Sequence, residues 1–292
     1  MITFFQAIVI GFIQGVTELF PISSLGHSVL IANLFGWHNL LAQEASSESS
    51  FLSFLVVLHV ATAIALLIFY RREWIKIIKG FFSSLKRRRA VTAYEKLAWL
   101  LIVATIPAGL IGLIFEHSLR TQFAKPMSAA VFLIINGCIL MAGERVRSAK
   151  TKRDDYSVDA TAKNAGKLTY SRAGIIGVAQ VGALFAGISR SGITMVSGLY
   201  SGLDYEDSAR FSFLLATPII LAAGLYKLPD FLGANGNGVR PQMLAGGVAA
   251  GIAAYFSVRF LDKYFKNKSL KPFAIYSLCF GVLMVVFQLI HG

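Results

Sequence analysis

Two long apolar stretches of this sequence are each interrupted near the middle by polar and helix-breaking residues. The first, Phe4–Leu34, contains PISS at Pro21–Ser24, and the second, Ala173–Leu203, contains GISRSG at Gly187–Gly192. Inside a bilayer, backbone that is not helical persists only where it is buried in protein or lines a polar cavity. The two stretches therefore predict broken helices that turn back within a membrane.

Six further apolar stretches are uninterrupted. Each is close to the roughly 20 residues that a helix needs to cross a bilayer, and 55% of the chain is hydrophobic, with a mean hydropathy of +0.64. We predict an all-α polytopic membrane protein with six transmembrane helices plus two re-entrant helical hairpins. The predicted spans are Phe51–Tyr70, Leu97–Phe115, Met127–Gly143, Ser208–Tyr226, Met243–Phe260 and Phe273–Ile290.

The net charge of +13 comes mainly from three loops. They hold 22 of the 28 Lys and Arg side chains and cover residues 71–96, 144–172 and 259–271. Because cytoplasmic loops are rich in Lys and Arg, we predict that these loops face the cytoplasm and that both termini face outward. The charge then reflects orientation and not nucleic-acid binding. The first of these loops also predicts an amphipathic helix at the membrane interface.

The two interrupted stretches are similar to each other. When residues 7–28 are aligned without gaps on residues 173–194, seven of the 22 positions are identical, including a glutamine and a Ser-x-x-Gly motif. We predict a single integral membrane domain built from two inverted repeats, the first hairpin entering from outside and the second from the cytoplasm. The domain covers residues 1–292, the first repeat 1–146 with its hairpin at 4–34, and the second repeat 147–292 with its hairpin at 173–203.

The first hairpin carries a group of reactive side chains around its break. Gln14 and Glu18 share one face of the helix before it, and Ser24 and His27 share a face of the helix after it. In the second hairpin, Arg190 stands where the first has Ser24. A carboxylate suits a cation, an imidazole transfers protons, and hydroxyls with a guanidinium suit phosphate oxygens. The combination predicts phosphoryl chemistry within a membrane.

Structural roles are open for several of these residues. Glu18 and Arg190 can neutralise each other as a buried pair that joins the hairpins. Ser23 and Ser24 can serve as helix caps. His59, inside the first predicted span, is predicted to have a packing or hydrogen-bonding role.

Two motifs are specific enough to indicate a family. They are QGVTELFPISSLGH at Gln14–His27 and AGISRSG at Ala186–Gly192. They resemble the patterns (E/Q)-G-x-x-E with P-x-S-S-x-G-H, and P-G-x-S-R-S-G, of the undecaprenyl-diphosphate phosphatases, also called the bacitracin-resistance family. The stretches FSFLLATP and PFAIY extend the resemblance over essentially the whole chain. Ala186 and Leu25 depart from the proline and threonine that the family commonly has, which affects local geometry but removes no reactive group.

The resemblance implies hydrolysis of undecaprenyl diphosphate to undecaprenyl phosphate and inorganic phosphate, which recycles the lipid carrier of cell-wall synthesis. It implies a divalent cation, Mg²⁺ or Ca²⁺, at Glu18 and Gln14. Ser24 and His27 are then candidates for nucleophile and base or acid, unless a water molecule attacks directly with assistance from His27. The catalytic candidates are Glu18, Ser24, His27 and Arg190, and the substrate-binding candidates are Ser23, Ser189, Arg190, Ser191 and Gly192.

The resemblance also implies a multi-pass protein of the bacterial plasma (inner) membrane, with its active site towards the extracytoplasmic face. The expected partners are the polyprenyl diphosphate substrate, membrane lipids and, as an option, a second copy in a homodimer. A lipid-phosphate transporter or flippase is the alternative, because paired hairpins in inverted repeats also occur in transporters. Such a protein would use Arg190 but has little need of Glu18 together with Ser24 and His27.

Overall fold

Every regular element in the computed structural model is helical over the residues that it describes, which are 2–37, 50–123, 125–148, 168–233 and 238–291. A short 3-10 turn at Gly182–Leu184 follows the seventh α-helix. The α-helices are α1 Phe4–Thr17, α2 Ser24–Leu34, α3 Ser50–Phe69, α4 Arg71–Arg87, α5 Ala93–Phe123, α6 Pro126–Ser148, α7 Tyr170–Val181, α8 Arg190–Tyr200, α9 Tyr205–Leu232, α10 Arg240–Tyr264 and α11 Lys271–His291.

Five of these helices, α5, α6, α9, α10 and α11, are individually long and apolar enough to cross a membrane. The sixth predicted span is α3, which meets the same criterion together with α4. The two helices are bent by 88° at Tyr70. The all-α polytopic class is therefore confirmed, and α4 confirms the helix predicted within residues 71–96. Most of the predicted loop at 144–172 lies outside the described residues.

Both interrupted stretches form closed hairpins. In the first, the Phe5 ring near the start of α1 lies edge-on to the Trp37 ring beyond the end of α2, with centroids 6.5 Å apart. In the second, Nη1 of Arg172 at the start of α7 donates to the carbonyl oxygen of Ser201 at the end of α8, at 3.0 Å. The two ends of each hairpin therefore lie next to each other.

The tips of the two hairpins contact each other. The Ser23 hydroxyl oxygen accepts hydrogen bonds from the Gly26 amide at 3.3 Å and from the Gly187 amide at 3.1 Å. A Cβ atom at Gly26 would lie 2.9 Å from the Gly187 backbone, and Gly187 itself has a φ of +110°. A side chain at Gly26 would force the tips apart, and one at Gly187 would clash with the backbone of Ala129 and Leu133 in α6.

Each hairpin also packs on a long span through a glycine. A Cβ atom at Gly11 of α1 would lie 2.2 Å from the carbonyl oxygen of Gly246 in α10. A Cβ atom at Gly177 of α7 would lie 2.5 Å from the carbonyl oxygen of Ala104 in α5. Small residues allow such close backbone approach between membrane helices. The hairpin of each predicted repeat thus packs on a span of the other, while the inverted relation of the two repeats stays a prediction.

We expect Gly11→Ala to destabilise the protein, because the added methyl group has no room against Gly246. Overpacking of this kind costs about 1–3 kcal/mol, so the thermal unfolding midpoint in detergent should fall. The control is Gly109→Ala in α5, where an added Cβ meets no atom within 4 Å. An unchanged midpoint for Gly11→Ala would contradict the close packing of α1 on α10.

Candidate active site

The chain unwinds between α1 and α2, and this break positions the reactive side chains. Glu18 caps the end of α1, with its amide still bonded to the Gln14 carbonyl oxygen at 2.9 Å. Pro21 has no amide hydrogen with which to continue the helix. Ser23 begins α2 as its N-cap, and its φ of +68° is unusual for a residue with a side chain. Glu18 and Ser24 are thereby placed on opposite sides of one sharp break.

The Glu18 carboxylate is the centre of the site and is only 7% exposed. Its Oε1 accepts a hydrogen bond from Nη2 of Arg190 at 2.7 Å. Its Oε2 accepts from the Ser24 hydroxyl at 2.5 Å and from Nε2 of Gln14 at 3.1 Å. Four of the predicted site residues therefore meet, three from the first hairpin and one from the second.

The other polar residues of the second hairpin tip mainly hold that tip in place. The Ser189 hydroxyl caps α8 by accepting from the Gly192 amide at 3.1 Å, and it lies 3.0 Å from the Ser191 hydroxyl. The Ser191 hydroxyl donates to the Phe20 carbonyl oxygen at 3.2 Å. Of the predicted substrate-binding residues in this tip, Arg190 is the one that reaches Glu18.

His27 and Ser24 point to different partners. The Nδ1 atom of His27 lies 2.7 Å from the Ser23 carbonyl oxygen, so it is the protonated nitrogen, and Nε2 lies 2.8 Å from the hydroxyl of Tyr276 in α11. The imidazole is stacked against the rings of Tyr276 and Phe280. The structure thus pairs Ser24 with Glu18, while His27 is held by α11.

His59 of α3, for which a packing or hydrogen-bonding role was predicted, also lies at this site. Its Nδ1 lies 2.7 Å from the Leu55 carbonyl oxygen and is therefore protonated. Its Nε2 faces Oε2 of Glu18 at 3.4 Å. An unprotonated imidazole nitrogen and a carboxylate oxygen are both hydrogen-bond acceptors and repel each other. Their approach therefore requires positive charge between or beside them, either a proton on the nitrogen or a metal ion. The signal in the sequence was an ionisable residue in the middle of a span.

Residues 7–283 match the model of the family described as bacitracin resistance protein BacA. The chain belongs to this family. It is 50% identical to the undecaprenyl-diphosphatase of Mycolicibacterium paratuberculosis over 94% of both chains. It is 48% identical to undecaprenyl-diphosphatase 2 of Frankia alni over 98% of both chains, and 44% identical to undecaprenyl-diphosphatase 2 of Chromobacterium violaceum over 98% of this chain and 99% of that one. The resemblance inferred from the motifs is confirmed.

Asn136 of α6 is a further polar residue at the tips in this BacA family member, and it was not predicted from the sequence. Its Nδ2 donates to the Pro21 carbonyl oxygen and its Oδ1 accepts from the Ser189 amide, both at 2.9 Å. The side chain is fully buried. It therefore forms a hydrogen bond with one backbone group of each unwound tip. Backbone that is not helical needs such partners inside a membrane. A lone asparagine within an apolar span was the available signal.

Gln14 offers an oxygen that could serve a cation. Its Nε2 is bonded to Glu18, and its buried Oε1 has no hydrogen-bond partner among the described residues. Mg²⁺ and Ca²⁺ bind through carboxylates, amide carbonyls and water, and Mg²⁺ commonly combines one or two carboxylates with substrate phosphates. The described residues assemble no group of three or more His, Cys, Asp or Glu side chains. Glu18 and Gln14 are therefore compatible with a cation that is also bound by phosphate oxygens.

Proposed function

We propose that this chain hydrolyses undecaprenyl diphosphate to undecaprenyl phosphate and inorganic phosphate. The observation that carries the proposal is the buried meeting of Arg190, Glu18 and Ser24 where the two hairpin tips touch. The names of the relatives, undecaprenyl-diphosphatase at 44–50% identity, support it and favour hydrolysis over transport. The reaction would return the lipid carrier to cell-wall synthesis.

Arg190 is the proposed ligand of the diphosphate. A guanidinium can donate two parallel hydrogen bonds to phosphate oxygens, and the positive ends of α2 and α8 at the tips also favour an anion. Arg190 is paired with Glu18 and retains 13% exposure of its side chain. The diphosphate would compete with the carboxylate for this guanidinium. Its arrival would separate the ion pair and free Oε1 of Glu18.

Ser24 is the proposed nucleophile, with Glu18 as its proton acceptor. Their hydrogen bond of 2.5 Å is short and directs the Ser24 proton onto Oε2. A bond would form between the Ser24 oxygen and the terminal phosphorus as the anhydride P–O bond breaks, with undecaprenyl phosphate as the leaving group. Water would then hydrolyse the phosphoserine and release inorganic phosphate. His27, held by Tyr276, would position the start of α2 beside this centre.

A divalent cation, Mg²⁺ or Ca²⁺, is proposed at Glu18 and Gln14. When bound, it would neutralise charge on the diphosphate and on the departing phosphate. The Glu18 carboxylate and the Oε1 amide oxygen of Gln14 would hold it, while Glu18 would still accept the Ser24 hydrogen bond. His59 faces the same carboxylate and would be a further residue around the cation site.

We also propose that the site opens to the extracytoplasmic face of the bacterial inner membrane. The support is the concentration of Lys and Arg in the three loops that are predicted to be cytoplasmic, which include α4. A homodimer stays a prediction from the resemblance.

Phosphate release from undecaprenyl diphosphate by purified protein in detergent tests the function directly, because hydrolysis needs one compartment and transport needs two. We expect chelator to suppress release and Ser24→Ala to reduce it about 100-fold or more. The matched control is Ser28→Ala, one turn further along α2, whose buried hydroxyl has no hydrogen-bond partner within the described ranges. No release by the unaltered protein, together with lipid transfer across vesicles, would reject hydrolysis in favour of transport.

Arg190→Lys should lower activity by about 10- to 100-fold although it keeps the charge. An ammonium can still pair with Glu18 but cannot make two parallel bonds to phosphate, and a bond to a charged group contributes about 1.5–3 kcal/mol. Arg172→Lys, at the other end of the same hairpin, is the control. If Arg190 served only to join the hairpins, the Lys variant would keep both near-normal turnover and a near-normal unfolding midpoint.

Gln14→Glu should lower the concentration of Mg²⁺ or Ca²⁺ needed for half-maximal rate, because a carboxylate is a stronger ligand for hard cations than an amide. Glu18→Gln should abolish cation-dependent hydrolysis. The control is Gln6→Glu, two turns earlier on α1, since glutamate also suits the capping box that Gln6 forms. Titrations of rate against each cation check these expectations. An unchanged requirement in Gln14→Glu, combined with an active Glu18→Gln, would remove both residues from the cation site.

A further inference from the structure

Helix α4 is bent by 88° relative to α3. It exposes a stripe of large apolar side chains. Its opposite side is buried against the body of the protein through Ile77, Gly80 and Ser84. The exposed stripe follows the spacing i, i+3, i+7, i+10, which places its members on one side of a helix. It consists of Ile75, Ile78, Phe82 and Leu85, each between 46% and 64% exposed. A helix of this kind, rich in basic residues, lies along a membrane interface.

The apolar stripe ends at a basic cavity. The cavity has a volume of about 400 Å³ and is lined by Leu85 of the stripe, by Arg88 and Arg89, and by the aromatic residues Trp99 and Tyr170. Trp99 is fixed there because its Nε1 donates to the Ser84 hydroxyl at 2.9 Å. Apolar, aromatic and cationic groups are therefore arranged in sequence along one surface.

The backbone at Arg88 is unfavourable for an arginine. Arg88 ends α4 with a φ of +55° and ψ of +22°, a left-handed position where glycine is the usual residue. The Arg88 amide donates to the Leu85 carbonyl oxygen and the Arg89 amide to that of Ser84, both at 3.2 Å. The capping geometry thus suits glycine, whereas the sequence supplies a guanidinium. Strain of this kind is a reason to look for a function of the side chain.

The loop that carries the two arginines is held in place by Glu95. This carboxylate accepts hydrogen bonds from the amides of Val91 at 2.6 Å and Thr92 at 3.0 Å, and it lies 3.7 Å from Nη1 of Arg87. Among the residues described, the ion pairs involve neither Arg88 nor Arg89. Two guanidinium groups with no carboxylate partner in the described part of the chain therefore line this cavity.

We propose that this cavity binds the phosphate group of an anionic phospholipid whose acyl chains lie along the apolar stripe of α4. Paired guanidinium groups suit phosphate oxygens, and basic residues beside a span attract anionic lipids. The apolar stripe that continues from the cavity favours a lipid over free phosphate. Because Tyr170 is the first residue of α7, the lipid would connect α4 to the base of the second hairpin.

The test compares lipid binding by delipidated, purified protein in native mass spectrometry. The probes are phosphatidylglycerol, phosphatidylcholine, glycerol 1-phosphate and inorganic phosphate. The proposal expects phosphatidylglycerol to bind tightest, with phosphatidylcholine weaker and both water-soluble anions weaker still. Binding of glycerol 1-phosphate or phosphate as tight as that of phosphatidylglycerol would overturn the lipid assignment, as would equal binding of the two lipids.

Arg88→Gly combined with Arg89→Gln should weaken phosphatidylglycerol binding about 25-fold, since each basic residue near an anionic surface contributes roughly fivefold. The glycine also suits the left-handed cap, so the unfolding midpoint should not fall. The control, Arg71→Gln with Arg72→Gln, removes the same charge at the other end of α4 and should change binding little. An equal loss in both variants would reject a defined site. If the first variant unfolds, Arg89→Gln alone serves instead with an expected loss of about fivefold, and unchanged binding in it would overturn the proposal.

Discussion

The buried carboxylate of Glu18 needs hydrogen-bond donors and a balancing positive charge, and the centre of this structure supplies them. Glu18 is nearly inaccessible, and an ion left unpaired in a low-dielectric interior costs several kcal/mol. Its own hairpin supplies donors from Gln14 and Ser24, but the guanidinium that balances the charge comes from Arg190 of the second hairpin. The two tips therefore have to meet. Once they meet, the same contact gathers the Ser24 hydroxyl, the Glu18 carboxylate and the Arg190 guanidinium in one buried cluster.

The meeting of the tips depends on small residues and on one amide side chain. Gly26 lets the backbone of the first hairpin approach Gly187 closely, and the Ser23 hydroxyl accepts hydrogen bonds from the amides of both glycines. Asn136 then satisfies a carbonyl of one tip and an amide of the other. In the hydrocarbon core of a membrane these groups have no water molecules with which to form hydrogen bonds. The polar contacts between the tips thus replace the regular hydrogen bonding that both hairpins give up at their breaks.

The sequence made the local features of the site predictable, because they depend on residues close together in the chain. Pro21 and the two Ser-x-x-Gly motifs predicted the breaks and the caps, and the four-residue spacing of Gln14 and Glu18 predicted their contact. Partners from distant spans were harder to predict. His59, Asn136 and Tyr276 lie on α3, α6 and α11, and helical periodicity within one span does not say which other helix it faces. The separation of His27 from Ser24 follows from one of these contacts, since the hydroxyl of Tyr276 draws the imidazole towards α11.

The ion pair between Glu18 and Arg190 also has a consequence for biogenesis. The two residues are 172 positions apart in the chain. At a synthesis rate of about 5–20 residues per second, roughly 10–30 s pass after Glu18 leaves the ribosome before Arg190 follows. During that interval the first hairpin has its carboxylate but not its guanidinium, and its Ser23 cap lacks the Gly187 amide. The first hairpin is therefore expected to reach its final depth only after the second half of the chain has been inserted.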